Sequence, residues 1–463
     1  MSPRSFWWIA LLGGLCAPSS SHAAAGPAKN VLIVVHDDWG RQAGCYGDKL
    51  ARTPHFDALA SQGTRFSRAF CTTASCSPSR SAIMSGLFPH ASGQYGLAHA
   101  DHNFHCRPFV KGLPVLLKEA GYRTLLAGKH HVIPEEQFAY ERSANGKINL
   151  RSTVQLAERV EEFLKEPDER PFFVYYCPID PHRGAKGWGN EGTYPGVVEQ
   201  VFKPSDIVVP PFLPDNSAVR EDLAGYYQAI SRADAGLGRV LQALENTGHA
   251  DDTLVMVLAD NGPPFPGAKT TVYDAGVHLP LVVRKPGQER RGDVADGMVS
   301  WVDIVPTVLE WTGAKGPKYK LHGRSFLGDV GGATDATRDH VFLSHTFHEV
   351  TMYYPMRGIR TRKHKCILNL AHHLPFPSAQ DLWASPTWQT TLEGKLEQYG
   401  PRPTAAYLQR PAVELYDLEA DPQEAKNLAA DPASQAILAE LKGRIRAWQA
   451  ETDDPWLVKY THE

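Results

Sequence analysis

The stretch N-V-L-I-V-V-H-D-D, residues 30–38, decides the fold. Its apolar part is nearly continuous and short, the pattern of a strand covered on both faces, and it stops at His36, Asp37 and Asp38. Three other stretches repeat the arrangement. Y-R-T-L-L-A-G (122–128) runs into Lys129, His130 and His131; P-F-F-V-Y-Y (171–176) leads to Asp180 and His182; T-L-V-M-V-L-A (253–259) runs into Asp260 and Asn261. Between and after these runs lie segments of helical apolar spacing, 54–63, 112–121, 220–248 and 301–313, each closing on a glycine suited to a left-handed C-cap. The alternation predicts a doubly wound α/β fold with a large, mostly parallel sheet flanked by helices. Ligands of open α/β sheets bind outside the carboxyl ends of the strands, so the four polar clusters are expected to converge on one site.

Composition narrows what that site can be. At 463 residues, 42% hydrophobic and 21% charged, the chain is an ordinary globular one. A net charge of -3 offers no overall basic field for nucleic acid. The opening M-S-P-R-S-F-W-W-I-A-L-L-G-G-L-C-A-P-S-S-S-H-A-A-A reads as a secretory signal peptide over 1–25, its apolar run too short to span a membrane. No Asn-x-Ser/Thr acceptor occurs, which favours a bacterial periplasm or exterior over a eukaryotic, lysosomal setting. The remaining cysteines, Cys45, Cys71, Cys76, Cys106, Cys177 and Cys366, are scattered, with no zinc or disulfide spacing.

Asp37, Asp38, Asp260 and Asn261 offer only oxygen donors, which suits a hard divalent cation, calcium or magnesium, and not zinc. Lys129, His131, His182 and Lys269 offer cations and proton carriers suited to a small tetrahedral anion. C-S-P-S-R (76–80) begins a helix, with Pro78 tolerated in its first turn and Cys76 near unpaired N–H groups beside Arg80. Any one of these clusters alone reads equally as a solvated turn, a cap or a buried cysteine.

Cys-x-Pro-Ser-Arg, followed by four residues, Ser85 and Gly86, resembles the signature of the type I sulfatases, in which the cysteine is oxidised to formylglycine. The paired aspartates, the G-K-H-H of 128–131, A-D-N-G (259–262), Lys269 and E-L-Y-D-L-E-A-D-P-Q-E-A-K-N-L-A (414–429) extend the resemblance over nearly the whole chain. D-P-H-R (180–183), D-N-G-P-P-F-P (260–266) and H-E-V-T-M-Y-Y-P-M-R (348–357), with L-P-F-P-S-A-Q-D-L-W-A-S-P-T-W-Q (374–389) and E-T-D-D-P-W (451–456), are similar to the sulfamidase branch, which removes N-linked sulfate from glucosamine residues of heparan sulfate. Lys269 stands where that branch carries arginine, and its cysteines flanking the segment after D-P-H-R are missing.

The resemblance implies an alkaline-phosphatase-like sulfatase fold, calcium on Asp37, Asp38, Asp260 and Asn261, and 3-oxoalanine (formylglycine) at position 76. Its hydrate would attack sulfur with one hydroxyl and expel sulfate with the other. Arg80, Lys129 and Lys269 would carry the sulfuryl charge, His182 protonate the leaving nitrogen, and His131 take the proton of the second hydroxyl. Asp180, His348 and Glu349 are the candidates for holding the sugar. The implied partners are a sulfated glycosaminoglycan oligosaccharide, a formylglycine-generating enzyme and a second copy of the chain in a homodimer, with no nucleic acid or membrane.

Three units are expected: 1–25 as signal, 26–335 as catalytic domain, and 336–463 as a smaller domain with an antiparallel sheet and an amphipathic terminal helix. The basic run Arg357, Arg360, Arg362, Lys363 and Lys365 reads either as a polyanion contact or as a charged edge strand. Besides a sulfamidase, the core motifs allow an O-sulfatase on a sugar or aryl sulfate and a phosphoester or phosphonate hydrolase. A catalytically dead carbohydrate binder is disfavoured, because no nucleophile or metal position is substituted.

Overall fold

The four apolar runs become four adjacent parallel strands. The computed structural model describes residues 29–332 and 335–458, so the segment read as a signal peptide lies outside the described residues. Strands β1 (Asn30–His36), β2 (Thr64–Phe66), β3 (Arg123–Gly128), β4 (Arg142–Ser143), β5 (Phe172–Cys177), β6 (Thr253–Ala259), β7 (Leu281–Arg284) and β8 (Asp293–Ala295) form one eight-stranded sheet in the order β8-β2-β7-β6-β1-β5-β3-β4. Its centre, β6-β1-β5-β3, is parallel throughout, and every residue of these strands is buried. Beyond β6 the sheet turns mixed, because β7 runs antiparallel to both neighbours.

Helices α1 (Pro54–Gln62), α2 (Cys76–Ser85), α3 (Leu113–Glu119), α4 (Thr153–Leu164), α5 (Ser217–Asn246) and α6 (Ile304–Thr312) connect and flank the strands. The glycines after α3, α5 and α6, namely Gly121, Gly248 and Gly313, take the expected left-handed conformation. Gly63, after α1, differs: its φ is -116°, and a Cβ there would lie 2.5 Å from the Val283 carbonyl oxygen on β7. Close packing, not a left-handed turn, requires glycine at that end.

Residues 340–417 build a second sheet, fully antiparallel, from β9 (His340–His345), β10 (Met356–Thr361), β11 (His364–Asn369) and β12 (Val413–Asp417) in that order. Between β11 and β12 the chain carries the short helices α7 (Gln380–Trp383) and α8 (Pro386–Glu393), followed by a small two-stranded ribbon and a further helical turn at Thr404–Leu408. The terminal helix α9 (Gln435–Glu451) lays Leu438, Leu441, Ile445 and Trp448 on Ile359, Cys366 and Leu415 of the sheet. Met356, Ile367 and Tyr416 join the core of the large sheet. β10 and β11 are therefore interior strands and not edges, and the basic run is spent on internal ion pairs. Arg357 meets Asp454 (2.6 Å), Arg360 meets Asp274 (3.1 Å), Arg362 meets Asp296 (2.6 Å), Lys363 lies 3.6 Å from Asp417, and Lys365 meets Glu424 (2.7 Å). Among the described residues no helix is long and apolar enough to cross a membrane.

Candidate active site

Strand register brings the clusters together. His36 pairs with Ala259 across β1 and β6, which sets Asp37 and Asp38 beside Asp260 and Asn261. The Asp38 N–H donates to Asp260 Oδ1 (3.0 Å), and Asn261 Nδ2 donates to Asp38 Oδ1 (2.7 Å). On the other side Gly128 pairs with Cys177, delivering Lys129 and the loop of His182. Lys129 Nζ lies 2.6 Å from Asp37 Oδ2, His182 Nδ1 lies 2.5 Å from Asp38 Oδ2, and Lys269 Nζ lies 2.9 Å from that same oxygen. Asp38 and His131 both hold a left-handed backbone (φ 63° and 61°), a cost to non-glycine residues that surrounding structure must offset and that clusters at functional sites.

Cys76 opens α2 behind an extended Ser75, with its Sγ 3.8 Å from Asp38 Oδ1. Burial pushes its thiol well above the ordinary range, and Lys129 and Lys269 only partly oppose this. An unmodified thiol here stays protonated at neutral pH and is a poor nucleophile. Arg80 is fully buried beneath the site: Nε donates to Asp260 Oδ2 (2.8 Å) and Nη1 to the Lys129 carbonyl (2.9 Å), and its side chain is not on the cavity wall.

Burial alone would raise Asp37 and Asp38, but Lys129 beside the first and Lys269 beside the second hold both below the carboxylate range. Asp260 goes the other way, pushed up by burial and by the Asp37 charge. Asp37 Oδ1 and Asn261 Oδ1 are also buried without a hydrogen-bond partner. Orphaned oxygens among crowded carboxylates fit a hard divalent cation such as calcium.

Above this floor opens a cavity of about 1090 Å³, into which Cys76, Lys129, His131, His182 and Lys269 face. Its opposite wall comes from the C-terminal region. His348 Nδ1 lies 2.8 Å from Ser75 Oγ, and Glu349 Oε1 accepts the Gln380 N–H (2.8 Å). Asp381 Oδ2 lies 2.8 Å from Lys269 Nζ, so that lysine is held between floor and wall.

Sequence reading missed Gln380 and Asp381, which sit on a four-residue helix without periodicity. It also missed His99, whose Nδ1 lies 2.5 Å from His131 Nε2 and fixes that ring; the only signal was a histidine-rich loop. Asp180 is fully buried and does not reach the cavity. Arg151 bonds its Oδ1 and Arg232 Nε its Oδ2 (2.5 Å), which anchors the His182 loop to α5. The neighbouring Arg183 pairs bidentately with Asp222 of α5 (2.6 and 2.9 Å), and Asp222 also accepts from Thr387 of α8 (2.8 Å). One carboxylate thus ties the histidine loop to the helices of the wall.

Fold and site together define a sulfatase, and the chain belongs to the sulfatase family: residues 29–314 match the family's model. Residues 268–383 match a second model, the C-terminal region of N-sulphoglucosamine sulphohydrolase. The chain is 37% identical to human N-sulphoglucosamine sulphohydrolase over 93% of its own length and 91% of the relative's. Among solved structures, a 2-O GAG sulfatase superposes with a TM-score of 0.70 at 21% identity, covering 93% of each chain. A protein solved in complex with its substrate D-glucosamine-2-N,6-O-disulfate superposes at 0.68 with 19% identity, covering 92% of this chain and 99% of the other.

Proposed function

We propose that the protein is an exported hydrolase that removes N-linked sulfate from glucosamine residues of heparan sulfate or heparin fragments. One observation carries this reading. His348, Glu349, Gln380 and Asp381 all belong to the 268–383 segment that matches the N-sulphoglucosamine sulphohydrolase C-terminal model, and they face the same cavity as Cys76. The identity to the human enzyme supports the same substrate class. The apolar leader of residues 1–25 supports export.

Asp37, Asp38, Asp260 and Asn261 would hold calcium, which when bound supplies a Lewis acid that makes a nearby hydroxyl more acidic. Cys76, oxidised to formylglycine by a maturation enzyme, would supply a hydrated aldehyde in place of the protonated thiol. The Lys129 and Lys269 ammonium groups face the cavity and would neutralise the sulfuryl oxygens as charge grows on them. Arg80 acts from beneath, holding Asp260 and the Lys129 backbone in place. His182, oriented by Asp38, would give a proton to the leaving nitrogen, because an amide anion is a very poor leaving group. His131, oriented by His99, would take the proton of the remaining hydroxyl at position 76 as sulfate is released.

The test is sulfate release from N-sulfoglucosamine and from glucosamine 6-O-sulfate under the same conditions. A clearly higher kcat/KM for N-sulfoglucosamine is expected; a preference for the 6-O-sulfate makes the protein an O-sulfatase.

A further inference from the structure

A sulfamate and a sulfate ester differ at a single bridging atom: nitrogen carries a hydrogen there, and ester oxygen carries none. The charged groups of the floor cannot read that difference, and its acceptor His131 is assigned to the hydroxyl at position 76. Lys129, Lys269 and a protonated His182 are donors, and donors serve either bridge. Reading the N–H requires an acceptor beside the sulfuryl site. Four carboxylates line the cavity among the described residues, those of Glu221, Asp222, Glu349 and Asp381. Asp222 is consumed by Arg183, Trp188 and Thr387. Glu221 is exposed on α5, and Glu349 bonds the Gln380 backbone at the rim.

Asp381 is different, because it meets the floor. Its Oδ2 lies 2.8 Å from the Lys269 ammonium, which lies 2.9 Å from Asp38 Oδ2. Among the described residues its Oδ1 accepts only the Leu382 N–H of its own helix (2.9 Å). An ionised carboxylate has roughly four acceptor sites, so two stay available on a side chain that remains 17% exposed to the cavity. Burial opposes ionisation, yet Lys269 and His348 hold the carboxyl below its usual range, in keeping with an acceptor role.

We propose that Asp381 distinguishes N-linked from O-linked sulfate by accepting the N–H of the sulfamate, while its contact with Lys269 keeps the ammonium on the sulfuryl group. The inference rests on the N-sulfatase reading. As the S–N bond breaks, its electron pair stays on nitrogen, and sulfur bonds to one hydroxyl oxygen of the hydrated aldehyde at position 76, whose proton is released to water. Nitrogen takes a proton from His182 to become an amine, which gains a second proton from water and leaves as an ammonium with Asp381 as counter-ion. An ester would set its bridging oxygen lone pair against the carboxylate, a repulsive arrangement that rejects the wrong substrate.

The experiment compares N-sulfoglucosamine with glucose 2-sulfate, which differ only in the bridging atom. Wild-type kcat/KM should favour the sulfamate, and Asp381→Asn should narrow that ratio by at least about fivefold, the loss of one charge-assisted hydrogen bond. Any damage done through Lys269, or to folding, lowers both substrates together and leaves the ratio alone. A narrowing below about fivefold overturns the proposal and leaves Asp381 as an anchor for Lys269. Binding without turnover gives a second readout: calorimetry on Cys76→Ala should show N-sulfoglucosamine binding weakened more than glucose 2-sulfate binding once Asp381→Asn is added. Equal weakening of both ligands also overturns it. A wild-type preference for glucose 2-sulfate would instead sink the N-sulfatase reading itself.

Discussion

The floor and the wall of the cavity are built by opposite means. Asp37, Asp38, Lys129, Asp260 and Asn261 follow directly from strands of the large sheet, so strand register fixes their positions: His36 opposite Ala259 aligns two acidic clusters, and Gly128 opposite Cys177 aligns the lysine with the start of the histidine loop. The wall hangs on loops and a four-residue helix, held by single contacts such as Glu349 to the Gln380 N–H and Asp381 to Lys269. A rigid floor suits the step common to every sulfate, and a wall of separate loops suits selection of what the sulfate is attached to. Substitutions of the floor groups that hold the metal or the sulfuryl oxygens should therefore damage all sulfated substrates alike, wall substitutions should discriminate by the sugar, and His182, which faces the leaving atom, should discriminate by leaving group.

The largest effect is expected at the nucleophile. Cys76→Ala should abolish sulfate release from every substrate while leaving the melting temperature and N-sulfoglucosamine binding nearly unchanged, as calorimetry can establish. Asp37→Asn and Asp260→Asn come next, each lowering kcat/KM by about 10²–10³-fold on N-sulfoglucosamine and on 4-nitrophenyl sulfate alike. Chelation should reproduce that loss in the wild type, with calcium restoring activity there and not in the variants. Losses confined to the sugar substrate would break the division between floor and wall. His182→Ala sharpens it, since a nitrogen leaving group needs a proton and a nitrophenolate hardly does. A drop of roughly 10²-fold is expected on N-sulfoglucosamine, with tenfold or less on the aryl sulfate. The smallest effect belongs to the rim: Glu349→Gln should raise KM for N-sulfoglucosamine by about tenfold and leave 4-nitrophenyl sulfate turnover within about twofold.

The same contrast explains what the sequence made legible. Runs such as 30–35 and 253–259 announce themselves because a strand buried on both faces must be apolar throughout, and the polar residue that ends such a run is necessarily at a strand end. The central strands and the polar groups at their ends were readable in that way, and the cysteine-led helix was readable from Pro78 in its first turn. Reading failed where position depends on distant packing. Asp180 follows a strand as His182 does, yet Arg232 on α5 draws it away from the cavity. Asp381 carries no local signal; it matters only because a helix between β11 and β12 returns to Lys269, 112 residues earlier in the chain. The basic run from Arg357 resembled a surface feature because its partners Asp454, Asp274 and Asp296 lie far along the chain.

Floor and wall alike presuppose that the reacting group at position 76 is not a thiol. The direct measurement is the mass of the peptide containing residue 76 from the active enzyme, taken alongside its rate of sulfate release from N-sulfoglucosamine. The account predicts that activity scales with the fraction of peptide in which the cysteine sulfur has been replaced by an aldehyde or its hydrate. Full activity from protein whose peptide carries only the intact cysteine would contradict it.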